Sequence, residues 1–192
     1  MSRSPSLTEQ KNVPFLAVFE VLTLGEETLP GPVRDPRADA LRRRYHAMFG
    51  GGELPVPVES IAEDLLGLAI HEEKLDGISG LLYPEARQIY INASDIPARR
   101  RFTIAHELGH WVCQCLEGEG RGATVMCRAE DVSPDVDRTL EREANVFGAE
   151  LLMPENAVRE HAADTGAPKL FGVSQLAFQW RLYSFDLAER PK

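Results

Sequence analysis

Two histidines, His106 and His110, stand four residues apart in a stretch whose apolar residues recur every three to four positions. The apolar positions are Ala105, Leu108, Val112 and Cys115. This stripe predicts one long helix over residues 97–116. Because residues four apart share a face of a helix, both imidazoles point the same way and can hold one ion.

Glu107 follows His106 directly and is turned about 100° from it around the helix axis, so it lies near a bound ion without having to ligate it. Two neutral imidazole nitrogens and an adjacent carboxylate that takes a proton from metal-activated water are the parts of a zinc peptidase site. Gly109 removes a side chain where another backbone can approach closely. The alternative interpretation is an amphipathic helix whose two histidines are ordinary surface or core residues.

A catalytic zinc needs a third protein ligand, and the next predicted helix offers Glu141 and Glu143. That helix opens at Ser133-Pro134, ends at Pro154 and carries the apolar stripe Leu140, Ala144, Phe147 and Leu151. If the stripe faces the core, the two glutamates lie on opposite flanks and only one can face the metal. Glu141 is favoured because Asn145 lies one turn further on the same side, where it can hydrogen-bond the free ring nitrogen of a ligand histidine.

The rest of the chain predicts an α+β fold, in which a small antiparallel or mixed sheet packs on a helical body. Asp35-Pro36 marks the start of a first helix, and a second helix follows Pro57. Short strands are expected over residues 68–71, 80–83 and 87–92, the last two forming a hairpin. Ser94 or Asp95 is expected to cap the histidine helix, and Ser174 the last helix.

Three regions are predicted: a loosely ordered N-terminal arm (1–34), a metallopeptidase domain (35–165) and a C-terminal helical extension (166–192). The formal charge of −9, from 30 acidic and 21 basic residues, argues against non-specific attraction to nucleic acid or to an anionic membrane. No apolar run approaches the roughly 20 residues of a membrane helix. Three cysteines, an odd number, favour a reducing compartment, so we expect a cytoplasmic protein.

The histidine string and the glutamate helix together resemble the ImmA/IrrE metallopeptidases. The similarity rests on the run Arg101–His110 (RFTIAHELGH), on the run Glu141–Pro154 (EREANVFGAELLMP) and on the strand Ile89–Asn92 (IYIN). It covers roughly residues 55–160 and implies a gluzincin-like, zincin-type site holding one Zn²⁺ per chain. In that site His106, His110 and Glu141 are the ligands and Glu107 is the catalytic base. Gly148 stands where the family more often has alanine.

The resemblance also implies a role, namely cleavage of a helix-turn-helix repressor that controls mobile-element or stress-response genes. An alternative is a zinc-containing regulator or toxin-like protein that binds a repressor or antitoxin without significant proteolysis. A third interpretation is a helical binding domain whose histidine motif is accidental. The C-terminal segment resembles the winged-helix-like end of relatives, but in an acidic chain we expect it to pack or dock a partner rather than bind DNA.

Other residues are candidates for supporting roles. If the strand over residues 87–92 is an exposed edge, its residues Tyr90, Ile91 and Asn92 would hold an extended substrate by strand addition. His161 is a candidate donor to the transition state. Cys113 and Cys115 face apart on a helix and cannot share an ion, whereas Cys127 lies in a loop from which it could touch the metal.

Overall fold

The computed structural model describes residues 34–116 and 134–191. Within them the chain has an α+β fold, as predicted, with seven α-helices and one three-stranded mixed sheet. The helices are α1 (Pro36–Phe49), α2 (Val58–Ser60), α3 (Pro97–His110), α4 (Pro134–Leu152), α5 (Glu155–Glu160), α6 (Ala167–Phe171) and α7 (Gln175–Ser184). The strands are β1 (Ala69–Glu73), β2 (Gly80–Tyr83) and β3 (Gln88–Asn92).

The helix starts follow the expected capping chemistry at two of three sites. Asp35 caps α1 by accepting a hydrogen bond from the Arg37 amide at 2.9 Å, and Ser174 caps α7 by accepting one from Ala177 at 3.1 Å. The prediction of Ser94 or Asp95 as the cap of α3 is wrong, because Ile96 is the N-cap and makes no side-chain bond.

The sheet has the strand order β1-β3-β2, which corrects one expectation. The hairpin of β2 and β3 is confirmed, with Leu82 paired to Ile89, but β1 adds to the other side of β3 in parallel. The strand that contains Tyr90 and Ile91 is therefore central, so the condition under which it would hold a substrate by strand addition is not met. Sequence alternation sets which face of a strand is buried, but it does not set which neighbours the strand has.

The predicted helix over residues 97–116 changes its winding near its end. It is α-helical to His110 and continues as a wider π-helical turn over Trp111–Leu116. A second π-helical turn, Ile61–Leu65, follows α2. Apolar periodicity does not distinguish the two windings over a single turn, which explains why the change was not predicted.

The histidine helix α3 crosses α4 at backbone contact. A Cβ placed on Gly109 would lie 2.7 Å from the Ala144 Cα, so Gly109 permits the close approach that the sequence predicted. On the other side of the crossing, a Cβ on Gly148 would lie 3.2 Å from the Ala105 carbonyl carbon and the His106 nitrogen. Small residues on both helices thus set how near the side chains of α4 come to those of α3.

The C-terminal segment packs on the same core as the rest of the described chain. The rings of Phe171 and Phe178 pack together at a tilt of 35° with centroids 5.4 Å apart, and both residues are buried in the core. The buried Arg181 donates to the Met153 carbonyl at 3.0 Å and pairs with Glu150. The predicted division at residue 165 and the winged-helix-like character of this segment stay predictions. The N-terminal arm falls outside the described residues apart from Arg34. No described helix is both long and apolar enough to cross a bilayer.

Candidate metal centre

Three side chains from α3 and α4 converge at the helix crossing. The Nε2 atoms of His106 and His110 are 3.0 Å apart. Glu141 from α4 places Oε1 3.1 Å from the His110 Nε2 and Oε2 3.3 Å from the His106 Nε2. Within the described residues, these three side chains form the cluster of potential metal ligands.

These spacings fit a bound metal ion. Donor atoms held at about 2.0–2.1 Å by a tetrahedral ion lie about 3.3 Å from one another. The three observed separations are close to that value, and two imidazoles with one carboxylate are a donor set of catalytic metal sites. His106, His110 and Glu141 can therefore hold one divalent ion with a coordination position left over. Glu143, the alternative ligand, does not belong to this group.

An amide side chain contacts the second ring nitrogen of each histidine. The Asn145 Oδ1 lies 2.8 Å from the His106 Nδ1, the contact that the sequence predicted, and Asn145 is 2% exposed. The Gln114 Oε1 lies 2.8 Å from the His110 Nδ1, and Gln114 is 5% exposed. A partner at Nδ1 fixes the ring orientation and directs Nε2 towards the ion.

Glu107 is buried beside this group without belonging to it. Burial raises the pKa of its carboxyl group, while the nearby His106 and His110 act in the opposite direction. A carboxyl group with a raised pKa is suited to accepting and returning a proton near neutral pH.

The ligand group is itself strongly coupled. Burial by itself would lower the pKa of His110, but the hydrogen bond with Glu141 and the charge of Glu107 raise it to about 9. Burial opposes ionisation of Glu141, yet hydrogen bonds with His106 and His110 hold its pKa well below the usual range. A cation at this site therefore competes with a proton for His110.

Gly80 at the start of edge strand β2 approaches the same helix. A Cβ on Gly80 would lie 2.2 Å from the Thr103 Cγ2 and 3.0 Å from the Glu107 Oε1. The absence of a side chain at Gly80 thus lets the sheet edge come directly beside Glu107.

The remaining candidates lie in other surroundings. His161 is the C-cap residue that follows α5, with Nδ1 3.9 Å from the Asp164 Oδ2 and its ring edge against Phe171, and its role stays a prediction. Cys113 is buried and Cys115 half-buried, neither forms a disulfide within the described residues, and Cys127 falls outside them.

Two residues of the site were missed by the sequence analysis. Gln114 follows His110 by four positions, the same spacing that linked the two histidines, so the signal was present. Gly80 had no comparable signal, because a glycine at a strand start is common and its contact with Glu107 depends on tertiary packing.

The chain is similar to known metalloproteases. A family model described as the IrrE N-terminal-like domain, Peptidase_M78, matches residues 63–183. The Radiation response metalloprotease IrrE of Deinococcus deserti is 29% identical over 129 residues, which are 67% of this chain and 44% of that protein. The protein of the same name from Deinococcus radiodurans is 35% identical over 81 residues, 42% of this chain and 24% of that protein. The matched region thus spans less than half of each relative.

A solved structure named Mycobacterium tuberculosis transcriptional regulator has a similar fold. Its TM-score is 0.57 at 18% sequence identity, over 78% of this chain and 47% of that one. At this identity the likeness concerns the fold alone.

Proposed function

Because the chain belongs to the Peptidase_M78 family of IrrE N-terminal-like metallopeptidase domains, we propose that it is a zinc-dependent endopeptidase acting on a protein partner. The observation that carries the proposal is the convergence of two histidines and Glu141 at ligand spacing, with Glu107 buried beside them. His106, His110 and Glu141 are proposed to hold one Zn²⁺ per chain, the metal preferred by such a donor set in peptidases.

When bound, the metal ion would acidify the attacking water and polarise the carbonyl of the scissile bond. Glu107 accepts the proton of that water and later delivers it to the leaving amine. Asn145 holds His106 in the orientation that directs Nε2 to the ion. Glu107 is suited to this exchange because its burial raises the pKa of its carboxyl group.

The edge strand β2 is the proposed binding site for an extended substrate. It replaces β3, the strand with Tyr90, Ile91 and Asn92, because β3 is the central strand. The Asn92 amide donates to the Ser79 carbonyl at 2.8 Å. Because hydrogen-bonded and non-hydrogen-bonded residue pairs alternate along an antiparallel hairpin, this bond shows which residues of β2 bond to β3. Residues 79, 81 and 83 therefore bond to β3, and the backbone groups of Gly80 and Leu82 point towards the outer edge. A peptide added there would run next to Glu107.

The proposed partner is a helix-turn-helix repressor. The resemblance to ImmA/IrrE proteins favours this class, and the acidic charge of the chain favours a protein over DNA as the direct target. Both curated relatives are named as radiation response metalloproteases, which accords with control of a stress response. The reducing cytoplasm stays the predicted compartment.

Co-expression with candidate helix-turn-helix repressors from the same genome tests the proposal. The unmodified chain and Glu143→Gln are expected to cleave the co-expressed repressor. Glu107→Gln is expected to bind zinc but to leave the repressor uncleaved. Glu143→Gln is the matched control, since it makes the same chemical change on α4 outside the ligand group. Cleavage by Glu107→Gln would contradict the mechanism. Binding of the partner without cleavage by the unmodified chain would favour the regulator or toxin-like alternative.

A further inference from the structure

Gln114 connects the two halves of the metal centre. Its Nε2 donates to the Leu140 carbonyl at 3.1 Å, and its Oε1 lies 2.8 Å from the His110 Nδ1. Leu140 directly precedes the ligand Glu141 on α4, whereas His110 ends the α-helical part of α3. One buried side chain thus contacts the ligand of one helix and the backbone next to the ligand of the other.

The backbone carbonyl of Leu140 determines the orientation of the Gln114 amide. A carbonyl oxygen only accepts hydrogen bonds, so the group that faces it has to be the NH₂ of Gln114. The oxygen of the amide then faces His110 and can only accept. The His110 Nδ1 must carry a hydrogen, so once the ring is neutral the lone pair that a metal ion needs is on Nε2.

The π-helical turn lies where this contact is made. Gln114 belongs to the turn Trp111–Leu116, which begins immediately after His110. π-Turns within α-helices are rare and occur often at functional sites. The turn presents Gln114 to the His110 ring and at the same time to the Leu140 carbonyl.

We infer that Gln114 is a positioning residue for metal binding. It selects the Nδ1–H form of His110 and holds the His110 ring at a fixed position relative to α4. The inference rests on the proposed function only in that the three ligands bind a metal ion. It assigns Gln114 no contact with substrate or ion. Loss of a hydrogen-bond partner of a ligand histidine typically weakens metal binding 10- to 100-fold.

Zinc affinity measured by chelator competition tests the inference without a substrate. Gln114→Leu retains the approximate volume but neither hydrogen bond, and it is expected to bind zinc at least tenfold more weakly than the unmodified chain. Gln179→Leu makes the same change at an exposed position of α7 and is expected to bind zinc normally. Gln114→Glu keeps an oxygen for the His110 Nδ1, so it is expected to retain more affinity than Gln114→Leu.

Proton NMR of the zinc-loaded protein separates positioning from general destabilisation. In the unmodified chain both Hδ1 protons, of His106 and of His110, are expected to be protected from exchange. In Gln114→Leu the His110 signal is expected to be lost, while the His106 signal remains because Asn145 still accepts from it.

Three results would overturn the inference. One is a Gln114→Leu affinity within twofold of the unmodified chain, and another is a protected His110 Hδ1 in that variant. The third result applies even if Gln114→Leu does not fold. It is rapid exchange of the His110 Hδ1 proton in the unmodified, zinc-loaded chain. Failure of the unmodified chain to bind zinc would contradict the metal centre itself, whereas none of the three results above does.

Discussion

Gly80 on edge strand β2 lies against Glu107 on α3, so closely that a Cβ on the glycine would be 3.0 Å from the Glu107 Oε1. The same Cβ would be 2.2 Å from the Thr103 Cγ2, a separation that requires one of the two groups to move. The sheet edge and the proposed catalytic base are therefore positioned by a contact that tolerates no side chain.

Substitution Gly80→Ala is expected to lower kcat/KM for partner cleavage at least tenfold, because the strand or Thr103 has to shift beside Glu107. Zinc content is expected to stay at one per chain, since no ligand is touched. The double substitution Gly80→Ala with Thr103→Ser removes the clashing methyl group and is expected to restore part of the activity. Unchanged cleavage by Gly80→Ala would contradict the role given to this contact.

The helix crossing can be tested through its glycines. Gly109→Ala would bring a Cβ to 2.7 Å from the backbone of Ala144, which cannot move aside, so we expect destabilisation of about 1–3 kcal/mol and weaker zinc binding. Gly148→Ala meets its neighbours at 3.2 Å and is expected to cost less. Thermal unfolding of both variants measures the difference. Equal melting temperatures for Gly109→Ala and the unmodified chain would be inconsistent with the crossing described above.

Asn145 offers a test that separates geometry from charge. Asn145→Leu removes the acceptor for the His106 Nδ1, and a 10- to 100-fold weaker zinc affinity is expected. Asn145→Asp keeps an acceptor oxygen at this place and is expected to bind zinc more tightly than Asn145→Leu. Chelator competition at one pH and one salt concentration compares the two variants, and an unaltered affinity in Asn145→Leu would speak against the assignment.

The ligand group makes zinc binding depend on pH. The pKa of His110 is raised to about 9, so below that pH zinc has to displace a proton from it. We expect the apparent zinc affinity to rise by about tenfold per pH unit between pH 6.5 and 8.5 and to level off above 9. An affinity that is flat over this range, measured by competition with a chelator of known proton affinity, would contradict the proton competition.

Zinc affinity is expected to rise with pH, whereas the stability of the metal-free protein is expected to fall between about pH 6.5 and 9. A raised histidine pKa contributes stability that is complete below the unfolded value near 6.5 and is lost as pH rises through 9. The lowered pKa of Glu141 contributes stability above about 4.5 that is lost as pH falls. The contact between His110 and Glu141 therefore stabilises most between about pH 4.5 and 6.5. Urea unfolding of the metal-free chain at pH 6 and pH 9.5, compared with Glu141→Gln, measures this contribution.

Much of the metal centre follows from periodicity in the sequence. The four-residue spacing placed His106 and His110 on one face, and the stripe of the next helix separated Glu141 from Glu143. The contact of Asn145 with His106 follows from the same reasoning, because Glu141 and Asn145 are one turn apart. Local spacing within a helix is sufficient for each of these inferences.

Strand order, the position of Gly80 and the π-helical turn could not be obtained in the same way. The alternation of Ile89 and Ile91 sets which side chains of β3 are buried, yet it is compatible with an edge or a central strand. Residues 74–79 link β1 to β2, yet β3 pairs between these two strands, and nothing in the connecting residues signals that order. The approach of Gly80 to Glu107 is a contact between elements distant in sequence, and such contacts leave no local pattern.

Zinc content per chain, measured by elemental analysis after purification and dialysis, tests the two-helix metal centre most directly. The comparison is between Glu141→Ala and Glu143→Ala, two identical changes two residues apart on α4. The unmodified chain and Glu143→Ala are expected to retain one zinc per chain, and Glu141→Ala is expected to lose most of it. Full zinc content in Glu141→Ala, or its loss in Glu143→Ala, would contradict the assignment of Glu141 as the third ligand.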